Sequence, residues 1–210
     1  MGRRLMQPLL DHVGVFVAAI TGVLAARGKR VDLFGILVLA LVTAFGGGSV
    51  RDVLVGDTPV VWLRGPWLLL NATVAALLTF LVGRECALPR GALVVADAFA
   101  LAAFTMMGTQ KGLGLKFSAP VAVLLGVVTG VAGGILRDVL TGEVPLVFRP
   151  EIRLYATAAL AGSTLCVTLC TVGTALPMAA LAGGGLVLSL RLAGIYWKIS
   201  LPVFETKKAV

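Results

Sequence analysis

Long apolar runs separated by short basic links set the pattern of this chain. Charged residues are absent from Leu33–Val50, Gly65–Gly83, Phe117–Leu136 and Leu154–Leu190. A helix that crosses a bilayer needs about 20 mainly apolar residues, and the last run divides into two at Gly173 and Pro177. The pattern predicts seven spans, about Leu9–Ala26, Leu33–Leu54, Trp67–Gly83, Gly91–Gln110, Phe117–Leu140, Leu154–Val172 and Met178–Trp197. Between them lie links such as Arg27-Gly28-Lys29-Arg30, Arg84–Arg90 and Phe148–Arg153. Trp62 and Trp67 flank Arg64 in the Thr58–Pro66 link, an arrangement suited to the headgroup level. Arg3 and Arg4 before an apolar run imitate a secretory signal, but no small-residue cleavage site follows convincingly. The stretch is therefore expected to stay as the first span. The tail, Lys198–Val210, is polar and expected to fray.

The chain also repeats itself. Gly46-Gly47-Gly48-Ser49-Val50-Arg51-Asp52-Val53-Leu54-Val55-Gly56-Asp57-Thr58-Pro59 recurs 86 positions later as Ala132-Gly133-Gly134-Ile135-Leu136-Arg137-Asp138-Val139-Leu140-Thr141-Gly142-Glu143-Val144-Pro145. The same ungapped offset pairs Asp11 with Asp97, Gly22 with Gly108, Gly28 with Gly114 and Thr43 with Thr129. An internal repeat sets the architecture before any other feature. The fold expected is an all-α membrane protein, one transmembrane domain over residues 1–210. Repeat one covers about 9–83, repeat two about 91–172, and a seventh helix about 178–197 is appended. Three spans is an odd number, so the second copy enters the bilayer from the opposite face. The repeats are inverted, related by a pseudo-two-fold axis in the membrane plane.

Composition agrees with the pattern. The 210 residues are 59% hydrophobic and only 13% charged. A soluble domain carries about one-quarter charged residues. The net charge of +8 comes from bases scattered over the links, not gathered into a patch, so nucleic acid is not an expected partner. On the first-link side lie Arg27, Lys29, Arg30, Arg84, Arg90, Arg149, Arg153, Lys198, Lys207 and Lys208, against Arg3, Arg4, Arg64, Lys111 and Lys116 on the other. Positive-inside bias puts the carboxyl terminus in the cytoplasm and the amino terminus outside. Cys86, Cys166 and Cys170, with the single His12, are too few and too spread for a zinc site, and no cofactor is expected.

Two features carry candidate chemistry. Glycine inside a helix costs about 1 kcal/mol relative to alanine, so Gly46-Gly47-Gly48 predicts a local break, matched by Gly133 and Gly134 in repeat two. Broken backbone survives at membrane depth only inside protein or beside a water-filled cavity, and its freed carbonyls can replace water around a cation. Matched interruptions in an inverted repeat point to a permeation site, expected at Gly46, Gly47, Gly48, Ser49, Asp52, Gly133, Gly134 and Asp138. The competing reading is that the glycines only let helices approach closely, as in Gly126-x-x-x-Gly130. Gly183-Gly184-Gly185 has no repeat partner and is expected to serve packing.

The second feature is the doubled Arg-Asp. Adjacent residues point about 100° apart on a helix, so Arg51 and Asp52 are expected to have other partners. Asp11 and Arg51 lie at similar depth near one face, and Asp97 and Arg137 near the other. These give two structural charge pairs beside the pathway, Asp11–Arg51 and Asp97–Arg137, which would leave Asp52 and Asp138 free to meet it. Arg191 is read either as lining the pathway or as snorkelling from the last span.

The doubled G-G-x-x-R-D followed by G-x-x-P, on the second and fifth of seven spans, resembles the bacterial branch of the trimeric intracellular cation channel (TRIC) family from about Asp11 to Trp197. The resemblance implies a homotrimer in the bacterial inner membrane, each subunit holding its own pore for potassium and other monovalent cations. It also implies that the second and fifth helices line that pore, through Gly46, Gly47, Gly48, Arg51 and Asp52, and through Gly133, Gly134, Arg137 and Asp138. The lipid-binding Lys-Glu-Val of animal members has no counterpart, so phosphoinositide control is not implied. Related bacterial sequences catalogued as glycine transporters keep a small-solute secondary transporter as the alternative. An enzyme is not expected, since no serine or cysteine shares a depth with a histidine or aspartate pair.

Overall fold

The computed structural model describes residues 2–86, 89, 91–149 and 154–197. Its long helices are α1 (Gly2–Ala25), α2 (Leu33–Leu54), α4 (Pro66–Glu85), α5 (Ala92–Gly114), α6 (Ala119–Leu140), α7 (Ala156–Thr171) and α8 (Leu176–Tyr196). A short α3 (Val61–Arg64) and a 3-10 turn (Leu146–Phe148) follow α2 and α6. Five helices, α2, α4, α5, α6 and α8, are long and apolar enough to cross a membrane, and the stretches Leu10–Ala25 and Ala156–Thr171 are shorter apolar helices. Arg90, Arg153, Lys198, Lys207, Lys208 and the side chains of Arg3 and Arg4, used above to orient the chain, lie outside the described residues.

Local chemistry fixes where the helices start and stop. Asp32 caps α2 by accepting from the Gly35 amide at 2.8 Å. Pro66, Pro120 and Pro177 stand in the first turns of α4, α6 and α8, where a missing amide costs nothing. α2 and α6 end alike, on Gly56 at φ 68° and Gly142 at φ 69°. At each end the glycine amide bonds back to Val53 or Val139, and the next amide, Asp57 or Glu143, bonds at 2.9 Å to the carbonyl of Asp52 or Asp138. This paired closure needs a left-handed residue, which glycine supplies without a Cβ penalty.

α2 and α6 cross each other; α1 and α4 pack on α2, α5 and α7 pack on α6, α8 packs on α5 and α7, and α1 also meets α5. The contact is close because glycine leaves room for backbone. A Cβ on Gly47 would lie 2.2 Å from the Thr129 carbonyl oxygen, and one on Gly133 would lie 2.5 Å from that of Thr43. Two apolar cores flank the crossing. One gathers Val15, Ala19, Leu39, Phe45, Ala72 and Phe104, the other Leu101, Met106, Ala159, Cys166 and Val187.

The expected backbone break is not present. α2 is helical from Leu33 to Leu54 and α6 from Ala119 to Leu140, through the glycines of both. At Gly47 and Gly133 the missing Cβ admits the backbone of the neighbouring helix, as it does at Gly183, where a Cβ would meet the Gly162 carbonyl at 2.6 Å.

Candidate functional site

Two charged clusters close the far ends of α2 and α6. At the α2 end, Arg51 is 6% exposed and Asp52 1%. The Arg51 Nε donates to Asp52 Oδ1 at 2.8 Å. Asp52 Oδ2 accepts from the Val61 amide at 3.0 Å and so holds the start of α3. The Trp62 indole of α3 then donates to Ser49 Oγ at 3.0 Å and its ring sits 5.9 Å from that of Phe45.

The α6 end repeats this plan and adds to it. Arg137, with no exposed surface, donates from Nε to Asp138 Oδ1 and from Nη1 to Asp97 Oδ1, both at 2.8 Å. Asp138 Oδ2 accepts from the Leu146 amide at 2.8 Å, holding the 3-10 turn. α8 contributes Arg191, also fully buried, whose Nη2 is 3.8 Å from Asp97 Oδ2 and whose guanidinium stacks 4.6 Å over the Tyr155 ring. Two arginines, two aspartates and a tyrosine thus form one compact neutral cluster. Leaving any member unpaired at this burial is costly, so the groups hold one another in place.

Arg51 and Arg137 therefore each bond the aspartate that follows them, contrary to the expectation from helical spacing. The long, hinged guanidinium folds back to its neighbour. Asp52 and Asp138 are consequently engaged, each by an arginine on one oxygen and a backbone amide on the other. The structure brings Asp97 to Arg137 but does not bring Asp11 within ion-pair distance of Arg51.

A third set of charges, Asp57 and Glu143 with their basic partners, lies just beyond the ends of α2 and α6. Asp57 accepts from Arg64 and from Lys111 of α5. Its repeat counterpart Glu143 accepts from Lys29 at 2.7 Å and Arg149 at 3.1 Å. Each acid thus receives a lysine from the other repeat. The Arg64 bond, then the Lys111 bond, hold the Asp57 carboxyl down at about 2, and Lys29 lowers that of Glu143.

Between the Arg51 cluster and that mouth opens a cavity of about 520 Å³. Asp11 and Val15 of α1, Gly48 and Arg51 of α2, and Gln110 and Lys111 of α5 are among its walls. Of the glycines expected on the pathway, Gly48 lines it; the nearest atom to a Cβ there is Arg51 Nη2 at 3.8 Å. Gly46 faces Leu136, and Gly134 faces the Tyr155 hydroxyl. Among the described residues no group of His, Cys, Asp or Glu gathers that could hold a metal ion. Sequence reasoning missed Gln110 and Tyr155 and the role of Lys111, because nothing local marks a residue whose partners come from other elements of the chain.

Comparison with known proteins follows the same outline. A family model described as glycine transporter matches twice, over residues 8–84 and 94–171. The UPF0126 inner membrane protein YadS of Escherichia coli K12 is 43% identical over 197 residues, spanning 93% of this chain and 94% of its own. A UPF0126 membrane protein of Vibrio cholerae is 42% identical over 201 residues, spanning 95% and 83%. Among solved structures, the TRIC trimeric intracellular cation channel orthologue from Rhodobacter sphaeroides superposes with a TM-score of 0.87 at 35% identity, over 92% of this chain and 99% of its own. A prokaryotic TRIC channel solved in 0.5 M KCl gives 0.85 at 25% identity, over 94% and 100%.

Proposed function

Since the chain belongs to the bacterial TRIC family, the group to which its glycine-transporter family match and its solved relatives lead, we propose that it is a cation channel of the inner membrane. The observation that carries this reading is the fold shared with the Rhodobacter sphaeroides channel over nearly the full length of both chains. Each subunit of a homotrimer conducts potassium and other monovalent cations through its own path beside α2 and α6. The seven spans form two inverted repeats and a seventh helix, with the amino terminus outside and the carboxyl terminus in the cytoplasm. Support for the repeat comes from the matched ends of α2 and α6, which begin and end at positions 86 apart.

In this reading the cavity at Asp11, Gly48, Arg51 and Gln110 is the outer part of the path. The equivalent region at the inner end is filled by Asp97, Arg137, Tyr155 and Arg191. The conformation is open outward and closed inward, and conduction needs that inner cluster to part. Asp52 and Asp138 then act as anchors for α3 and the 3-10 turn, and Gly47 and Gly133 as the crossing point, while Gly48 remains a wall of the path.

Purified protein in a planar bilayer under a potassium gradient tests the proposal. Discrete current steps reversing toward the potassium equilibrium potential are expected. Saturable glycine flux without steps would instead be the behaviour of a carrier and would overturn the channel reading.

A further inference from the structure

We propose that Asp11 is the carboxylate that selects cations in the outer cavity. The inference rests on the channel reading and adds to it a selectivity residue. Asp11 lines the cavity, yet among the described residues no hydrogen bond or ion pair within 4 Å engages its carboxylate. The other charged groups of that end are engaged elsewhere. Arg51 is bonded to Asp52, and Lys111 to Asp57. No hydrogen bond or ion pair among the described residues joins Asp11 to Arg51 or to His12. His12 itself is turned to α4, where the Asn71 amide donates to its backbone carbonyl at 2.7 Å and lies 3.2 Å from its Nδ1.

The repeat supplies the control. Asp97 occupies the same position in the second copy and is gripped by Arg137 at 2.8 Å with Arg191 beyond it. Arg137 spans two carboxylates; Arg51 holds one. The symmetric plan therefore leaves a single acid unmatched, and it is the one that faces open space. A partly buried carboxylate in a cavity able to hold several waters draws a mobile cation as its counter-ion. Arg64 and Lys111 share Asp57 and so leave extra positive charge at the rim, with side chains 43% and 31% exposed. Solvent and salt screen charges placed there, and Asp11, deeper in, is screened less.

The argument fixes the outcome of neutralising it. With Asp11 uncharged, the charged residues left on the cavity wall are Arg51 and Lys111, both cationic. Asp11→Asn is expected to lower the potassium-to-chloride permeability ratio, read from the reversal potential in a KCl gradient, by about fivefold or more. Asp11→Glu should keep the wild-type ratio. Asp11→Cys, in a Cys86→Ser background, should regain cation preference when an anionic methanethiosulfonate reacts with it, and lose it further with a cationic one. Melting temperature should stay within a degree or so of wild type for Asp11→Asn, because no bonded partner is stranded. Wild-type current steps with an unchanged reversal potential in Asp11→Asn would overturn the role of Asp11 and leave the channel standing. A fall in melting temperature with unchanged selectivity would also overturn it, assigning Asp11 to packing. Absence of current steps in the wild type would remove the channel reading itself.

Discussion

Gly47 of α2 and Thr129 of α6 touch through their backbones: the position a Cβ would take on Gly47 is 2.2 Å from the Thr129 carbonyl oxygen. A carbonyl inside a continuous helix cannot swing aside. Gly47→Ala is therefore expected to force the helices apart and destabilise the protein by about 1–3 kcal/mol, as overpacking does. Gly133→Ala should behave alike against Thr43. Gly48→Ala, with its nearest contact at 3.8 Å, should melt at or slightly above the wild-type temperature because it gains helix propensity. Thermal melts of the three variants decide the point, and a stabilised Gly47→Ala would contradict the crossing.

The two arginines should differ in what their loss strands. Arg137→Ala leaves both Asp97 and Asp138 buried without a shared cation, at a cost of about 3–5 kcal/mol. Asp97→Asn should recover part of that loss, with a coupling of at least about 0.5 kcal/mol in a double-mutant cycle. Arg51→Ala strands Asp52, and Asp11→Asn should recover nothing, giving additive effects. Strong coupling between positions 11 and 51 would place them in contact after all.

The mouth acids set a pH window. Asp57 is held at about 2 in the folded protein, below the unfolded carboxyl value of about 3.9. A depressed folded value means that its stabilisation is complete above the unfolded value and disappears as pH falls through the folded one. The difference in melting temperature between wild type and Asp57→Asn is expected to be flat from pH 7 to 5 and to shrink below about pH 4. A difference that changes most near neutral pH would show that another group controls this mouth.

Sidedness can be read from thiols. The native Cys86 is exposed at the end of α4. In cells it should react only with reagent that reaches the cytoplasm, whereas Lys111→Cys in a Cys86→Ser background should react from outside. Labelling of both from one face would remove the inverted arrangement.

Most of the helices were legible because apolar runs end abruptly at charge, glycine or proline. The second span was expected at Leu33–Leu54 and forms there; where the sixth was expected, at Leu154–Val172, a shorter apolar helix stands at Ala156–Thr171. α3 and the 3-10 turn were not foreseen, since three or four residues carry no periodicity. Their anchors are backbone amides, which a sequence does not advertise. The backbone break expected at the glycines did not form for a physical reason: a missing Cβ both weakens a helix and admits a neighbour, and Thr129 and Thr43 are the neighbours admitted at Gly47 and Gly133. The Arg-Asp neighbours misled because the 100° rule describes where side chains leave the helix, not where a long guanidinium can end. Arg191 was visible as a charge in the last span, but its partners come from elsewhere, Tyr155 from the residue that precedes α7 and Asp97 from α5.

The crossing of α2 with α6 reads the same from either side, Gly47 on Thr129 and Gly133 on Thr43, and the mouths exchange lysines in the same reciprocal way. Such a surface is complementary to its own copy. Every one of these contacts joins a residue of one repeated segment to a residue of the other, so each half of the chain braces its counterpart. What ends the equivalence is α8. By lodging Arg191 against Asp97 and Tyr155, it gives one end of the molecule a charge that the shared design of the two ends does not contain.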